Sequence, residues 1–538
     1  MILPLFIALL TQIQGICGQS VDKNGVTILE KIEEVERQML NVFTLVSVVA
    51  PCNKISAPEN PHSGQQTSAE WVRIVFHDTI TKNIEGPGLG GLDASVGFEA
   101  DRPENVGAFI NVTLGQFTQF SSIFLSMSDL IGIGLSDSLA TCDQPLARRI
   151  PLRVGRMDAT GPGPAGVPGP TDSLAFAQAA FTKAGFTNSE MIQAVACGHS
   201  LGGVHHENFP DIVPDPNDPE NLFGRSPFDS TPDVFDNTGV QEYLTRTGLK
   251  GGPLVVGPEA TRTDFLIFNS DDNATITAMS TPSSFENTCL TIFQKMMDNV
   301  PAGTVLSDPV TVRPWILRES HLDLLASGGV TFSGTISGHS TPAPPATANY
   351  FYGTVGGGNT GQKTVQQSFV YPNRPNGGDP EDTLIGFGTI VDYEFNDTLS
   401  SPSITSINIM SSYTAPVNLN IFILPSQSFS NPVNGQRQSI IRVAVLGTLA
   451  TTGTTMSLRI WSPNRQPGSV VPTFVNQNIT MSFLRTQGDY KIYQAVALTG
   501  DGAPGSTTVQ ANLGTTQASV KVQTGSLKPC TSAIPTTC

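Results

Sequence analysis

Positive charge is scarce in this chain: 29 lysines and arginines stand against 45 aspartates and glutamates, a formal net charge of −16. Nucleic acid and anionic membrane, which are bound through basic surface, are thereby disfavoured as partners. Beyond the opening MILPLFIALLTQIQGICG, no stretch stays apolar for the ~20 residues that a spanning helix needs. His205, His206 and Glu207 could belong to a hydrolytic metal site, against which stand the lack of any HExxH spacing and the fact that adjacent histidines do not share a helical face. Tryptophan is rare too, at three in the whole chain, and cysteine is odd in number at seven.

A chain of 538 residues is too long for one core, so two or three domains are expected. The opening apolar run ends in small residues and reads as a secretory signal over residues 1–18, although it lacks a basic start. Its removal takes Cys17 with it and leaves an even set of cysteines, which suits an extracellular, oxidising setting. Asn-x-Ser/Thr sequons at Asn111, Asn273, Asn396 and Asn478 fit the same setting, with Asn273 expected to be too enclosed for a glycan.

Helical spacing recurs up to about residue 300, as in KIEEVERQMLNVF and FENTCLTIFQKMMDNV. Past LSDPVTVRP the pattern turns to short alternating runs such as GGVTFSGTIS, TLIGFGTIVDYEF and SIIRVAVLG, broken by Gly, Pro, Ser and Asn. The fold class read from this is multidomain, with a mainly α-helical region over 19–312 and an all-β, sandwich-like region of one or two domains over 313–538. Within the second region TPAPPATANYFYGTVGGGNTGQ, low in charge, reads as a long loop or a spacer.

Three motifs carry chemistry. In WVRIVFHD, Arg73 and His77 stand four residues apart and project from one helical face. A base beside a fixed cation can move a proton and stabilise charge on a departing oxygen. NSEMIQAVAC, with Met191, Ile192, Val195 and Ala196 on its apolar side, suits a buried helix that His199 of GHSLG would end. PFDSTPDVFD, residues 227–236, is dense in oxygen donors.

Together these motifs resemble the secreted fungal class II haem peroxidases, over roughly residues 45–312. The resemblance implies haem b, with His199 as axial ligand, His77 as base, Arg73 as charge stabiliser and Asn105 as acceptor of the His77 Nδ1 proton. It places Phe76 and Phe228 against the haem, Arg156 near its edge, and Asp271 as acceptor of the other ring proton of His199. It also implies two calcium ions. One would be held by Asp78, the Gly91 carbonyl, Asp93 and Ser95; the other by Ser200, Asp229, Thr231, the Val234 carbonyl and Asp236. A Cys52–Cys142 disulfide is implied as well. Cys530 and Cys538 could pair, while Cys197 and Cys289 stay ambiguous, with a buried inert thiol expected at Cys197.

The implied activity is reduction of hydrogen peroxide coupled to one-electron oxidation of small phenolic or aromatic donors by a secreted, extracellular monomer. In the family, manganese oxidation uses three carboxylates, and the matching positions here are Gln66, Glu70 and His205. One carboxylate of three makes a tight manganese site improbable. The position of the family's surface tryptophan is Ala194, and Trp71 is expected in the core. A non-catalytic secreted cell-wall or carbohydrate-binding protein on the same scaffold is the alternative. The β-rich region could bind a glycan or wall polymer, or brace the enzyme.

Overall fold

A computed structural model describes residues 21–523 except 42–43, 57–64, 87–89, 144–148, 214–223, 372–385, 400–402, 434–435, 452, 500–502, 504 and 515–517. The opening apolar run, Cys17, Cys530 and Cys538 lie outside the described residues. Helices fill the first half, from Ile28–Met39 to Pro282–Asp298, and from Trp315 onward the chain is built of strands. No helix among the described residues is long and apolar enough to cross a membrane.

Two helices position the site. The first, Thr67–Thr79, buries Trp71, Ile74, Val75 and Asp78 on one side, which leaves Arg73, Phe76 and His77 on the side that lines a cavity. Trp71 is fully enclosed: its Nε1 donates to Gln116 Oε1 at 2.8 Å and its ring meets Phe117 at 4.6 Å. The second, Asn188–Gly198, starts at a capping box of Thr187 and Glu190 and buries Met191, Ile192, Ala194, Ala196 and Cys197. Such a cap stabilises a helix by about 1 kcal/mol. Val195, expected in that buried row, is instead partly exposed to the cavity.

Two disulfides clamp this half. Cys52–Cys142 is the expected pair. Cys197 is not a free thiol but is bonded to Cys289, which ties the second helix to Pro282–Asp298. Both sulfurs sit on facing buried helix surfaces, a proximity that neither spacing nor composition discloses.

The β-rich half opens with two four-stranded antiparallel sheets. One runs Trp315–Leu324, Val330–Ser340, Thr389–Leu399, Phe369–Tyr371; the other runs Tyr413–Pro416, Ile404–Ile409, Thr347–Thr354, Lys363–Gln366. They share a core of Ile336, Tyr350, Tyr352, Tyr393 and Ile407. The supposed spacer is therefore partly sheet, because in TANYFYGT alternate residues Ala348, Tyr350 and Tyr352 point inward and are buried. A further eight-stranded sheet is built around the 19-residue strand Ser469–Gln487.

The halves are packed together. Arg313 pairs with buried Glu36 and lies over the Tyr413 ring at 4.7 Å. Val471 of the long strand is fully buried and belongs to the helical core, with Val470 beside it. Burying such a side chain contributes roughly 1.5–3 kcal/mol.

Candidate functional site

A cavity lies between the two helices. His77, Arg73, Phe76 and Glu70 line one wall, and His199, Phe228, Val195 and Asp264 the other.

On the first wall, Asn105 Nδ2 donates to the Glu99 carbonyl at 2.9 Å, which turns its Oδ1 toward His77 Nδ1 at 2.7 Å. The network thus assigns the proton to Nδ1 and leaves Nε2 unprotonated, as an acceptor. Arg73 Nε donates to that Nε2 at 3.3 Å, and Arg73 Nη2 donates to the Val106 carbonyl at 3.0 Å. Phe109, which sequence reasoning did not single out, backs both groups: the Arg73 guanidinium lies 3.9 Å from its ring centre and the His77 ring 4.7 Å. Burial, then the Arg73 charge, hold His77 down to about 3 against the opposing bond to Asn105. It is a neutral base at any ordinary pH.

On the second wall, His199 caps the C-terminus of its helix and stacks on Phe228, ring centres 4.2 Å apart and 9° from parallel. Its Nδ1 pairs with Asp264 Oδ2 at 2.7 Å. Asp264, not Asp271, is the carboxylate at this ring. Asp271 sits in the turn Asn269–Asp271 and accepts from the Thr275 backbone N–H at 3.0 Å, capping the next short helix. Asp264 is 2% exposed at the start of Thr263–Phe268.

Arg156 is also displaced from its expected place. It is buried 1% exposed, away from the cavity, with Nη1 on Asp129 at 2.9 Å and Nη2 on the Met297 carbonyl at 2.8 Å. With four hydrogen bonds to Asp129, Arg153 and Met297, this buried guanidinium holds the core together.

The residues present fit a haem. A histidine whose Nδ1 is engaged keeps Nε2 for iron, aromatic faces of Phe76 and Phe228 lie on the two walls, and His205 Nδ1 faces the same cavity without a hydrogen-bond partner. Such an unmatched polar atom suits a haem carboxylate. Burial, then Arg225 and Arg73, keep His205 down at about 4.

Oxygen donors gather where calcium was expected. In the cluster below His199, Asp229 Oδ1 accepts from the Thr231 N–H at 2.9 Å, while its buried Oδ2 has no partner. Thr231 Oγ1 donates to Asp236 Oδ1 at 3.2 Å. Burial raises Asp229 to about 7, with Asp236 and Glu242 adding to the effect. Two crowded carboxylates with one orphan oxygen fit a cation. Beside His77, Asp78 takes the N–H groups of Asp93, Ala94 and Val96 at 2.9, 2.7 and 2.9 Å. Burial and the neighbouring Asp93 raise Asp78, a second excess of negative charge that a cation would relieve.

Residues 55–282 match the family described as Peroxidase. A WSC domain-containing protein of Arthroderma benhamiae is 39% identical over 305 residues, 55% of this chain and 40% of that protein. Manganese peroxidase 3 of Phlebia radiata is 30% identical over 191 residues, 34% of this chain and 48% of that protein. A peroxidase of Arthromyces ramosus is 28% identical over 192 residues, 34% and 48% of the two chains. The chain thus spans half or less of the length of these relatives. Residues 55–282 make up a domain of the peroxidase family, related to the fungal class II peroxidases and joined here to a β-rich C-terminal half.

Proposed function

We propose that this protein is a secreted haem peroxidase that reduces hydrogen peroxide and oxidises small phenolic or aromatic donors in one-electron steps. One observation carries the reading: a neutral base fixed by Asn105 and an imidazole engaged by Asp264 face each other across one cavity. Haem b, bound through His199, would supply the iron site and the redox chemistry. His77 Nε2 would take a proton from one oxygen of the peroxide and pass it to the other, which would leave as water once the O–O bond has broken with two electrons supplied by the haem. Arg73 stabilises the negative charge on that oxygen until the proton arrives. Asn105 keeps the proton on Nδ1, so Nε2 is ready for each cycle.

Calcium at Asp229, Thr231, Asp236, Ser200 and the Val234 carbonyl, and at Asp78, Asp93, Ser95 and the Gly91 carbonyl, belongs to the same proposal. Manganese does not: Gln66 Oε1 accepts from Arg225 Nη1 at 2.7 Å, so a guanidinium already stands beside Gln66 and near His205. A second positive charge there is unfavourable. Secretion is supported by the two disulfides and by the apolar start of the sequence. The burial of Val471 in the helical core favours a bracing role for the β-rich half.

The test is an absorption spectrum of the haem-reconstituted protein before and after one equivalent of peroxide, with His199→Ala alongside. A Soret band that shifts with peroxide, and fails to in the variant, is expected. No haem uptake, or haem inert to peroxide, would overturn the proposal and leave the non-catalytic scaffold.

A further inference from the structure

The site of contact between the halves is not arbitrary. Val471 meets the helical domain at the short 3-10 turn Ser95–Phe98: a Cβ added to Gly97 would lie 2.6 Å from Val471 Cγ2 and 2.9 Å from Ser469 Oγ. That turn is the common anchor of two connections to His77. In one, Asp78, the residue after His77, receives the Val96 N–H at 2.9 Å and the Ser95 hydroxyl at 3.3 Å. In the other, Glu99, which caps the turn, offers its carbonyl to Asn105 Nδ2 at 2.9 Å, and Asn105 holds His77 Nδ1. Backbone and side chain of the base therefore hang from one four-residue element, and the β-rich half presses on it.

We propose that Val471 is a positioning residue for His77, acting through Gly97 and the Ser95–Phe98 turn, an inference that rests on the peroxidase reading. A buried methyl group packed on a glycine has no slack, because interiors are close-packed and a lost contact is not refilled. Shortening Val471 frees the turn to shift. The Asn105 amide and the Asp78 clip then follow it, and the base loses its fixed relation to Arg73. Proton transfer is sensitive to such displacement well below the level that unfolds a domain.

The experiment uses the full chain with Val471→Ala, Val471→Ile and Gly97→Ala, the last disturbing the contact from the opposite side in case the first folds poorly. Without haem, amide hydrogen exchange of residues 93–97 is compared with that of residues 191–197. With haem, the second-order rate of reaction with peroxide is measured per bound haem, together with the ferric spectrum. Val471→Ala and Gly97→Ala should speed exchange at 93–97 and not at 191–197, and slow the peroxide reaction tenfold or more at equal haem content, while Val471→Ile restores most of the rate. Unchanged exchange at 93–97, or an unchanged rate per haem despite a lower melting temperature, would overturn it and leave Val471 as plain packing. Wild-type protein inert to peroxide would overturn the peroxidase reading and the positioning role together; exchange alone would then report a brace on a loop without chemistry.

Discussion

Asp264 Oδ2 lies 2.7 Å from His199 Nδ1 across 65 residues of sequence. A carboxylate in that position makes the opposite nitrogen a stronger donor. Asp264→Asn preserves the shape and removes the charge. The haem reduction potential is expected to rise, and peroxide reactivity to fall by about 10–100-fold. Asp271→Asn should alter neither, since its carboxylate only caps Thr275. Spectroelectrochemical titration of both variants checks the contrast.

Replacing His77 with leucine should cost about 10²–10⁴ in the rate of reaction with peroxide, with haem uptake retained. Because burial and Arg73 hold His77 down to about 3, the wild-type rate should stay level from neutral pH to about 4 and fall only as pH nears 3. The same depression has a stability sign. Between about 6.5, the unfolded value, and about 3, the unfolded chain binds a proton that the folded one does not. Stability contributed by this group is thus lost as pH falls through that window. Stopped-flow rates and denaturant melts against pH test the two halves of the statement.

Asp229 has the opposite sign. Its folded value near 7 exceeds the unfolded value of about 3.9, so ion-free protein should lose stability as pH rises through that interval. Between pH 5 and pH 7.5, chelator-treated wild type should therefore lose more stability, or gain less, than chelator-treated Asp229→Asn. Calcium at about a hundred times its dissociation constant should restore roughly 2.7 kcal/mol, most visibly at the higher pH. Asp229→Asn should remove this site's share of the calcium response in a thermal scan and leave the share due to the Asp78 cluster.

The Cys197–Cys289 bridge closes a separation of 92 residues. Its loss in a Cys197→Ser, Cys289→Ser double variant should cost about 2–5 kcal/mol. With the helix that carries His199 loosened, haem affinity should fall along with the melting temperature. Calorimetry and haem titration measure the two effects.

Much of the site was legible because the chemistry forces short-range patterns. Arg73 and His77 are four residues apart on one helix, His199 ends another, and PFDSTPDVFD packs its donors into one short loop. Asp264 was not legible, because two other aspartates lay in an equally plausible helical stretch and only the folded chain shows which carboxylate reaches the ring. Arg156 misled for a related reason: a Gly- and Pro-rich context says nothing of whether a guanidinium faces a cavity or a buried partner such as Asp129. The strand Thr347–Thr354 hid within a Pro- and Gly-rich stretch because its own alternation is short, and its pairing partners Ile404–Ile409 lie far along the chain. The docking of Val471 left no local signature at all.

Val471 lies about 170 residues beyond Asp298, the end of the last helix, yet its side chain completes the core of the helical segment. A ribosome adding ~5–20 residues per second therefore finishes the helical half on the order of ten to thirty seconds before the piece that closes it emerges. During that interval the turn bearing Gly97 faces solvent where a valine will later sit. Biosynthesis thus imposes an order on maturation: the pocket can take its final form only after the β-rich half has been made.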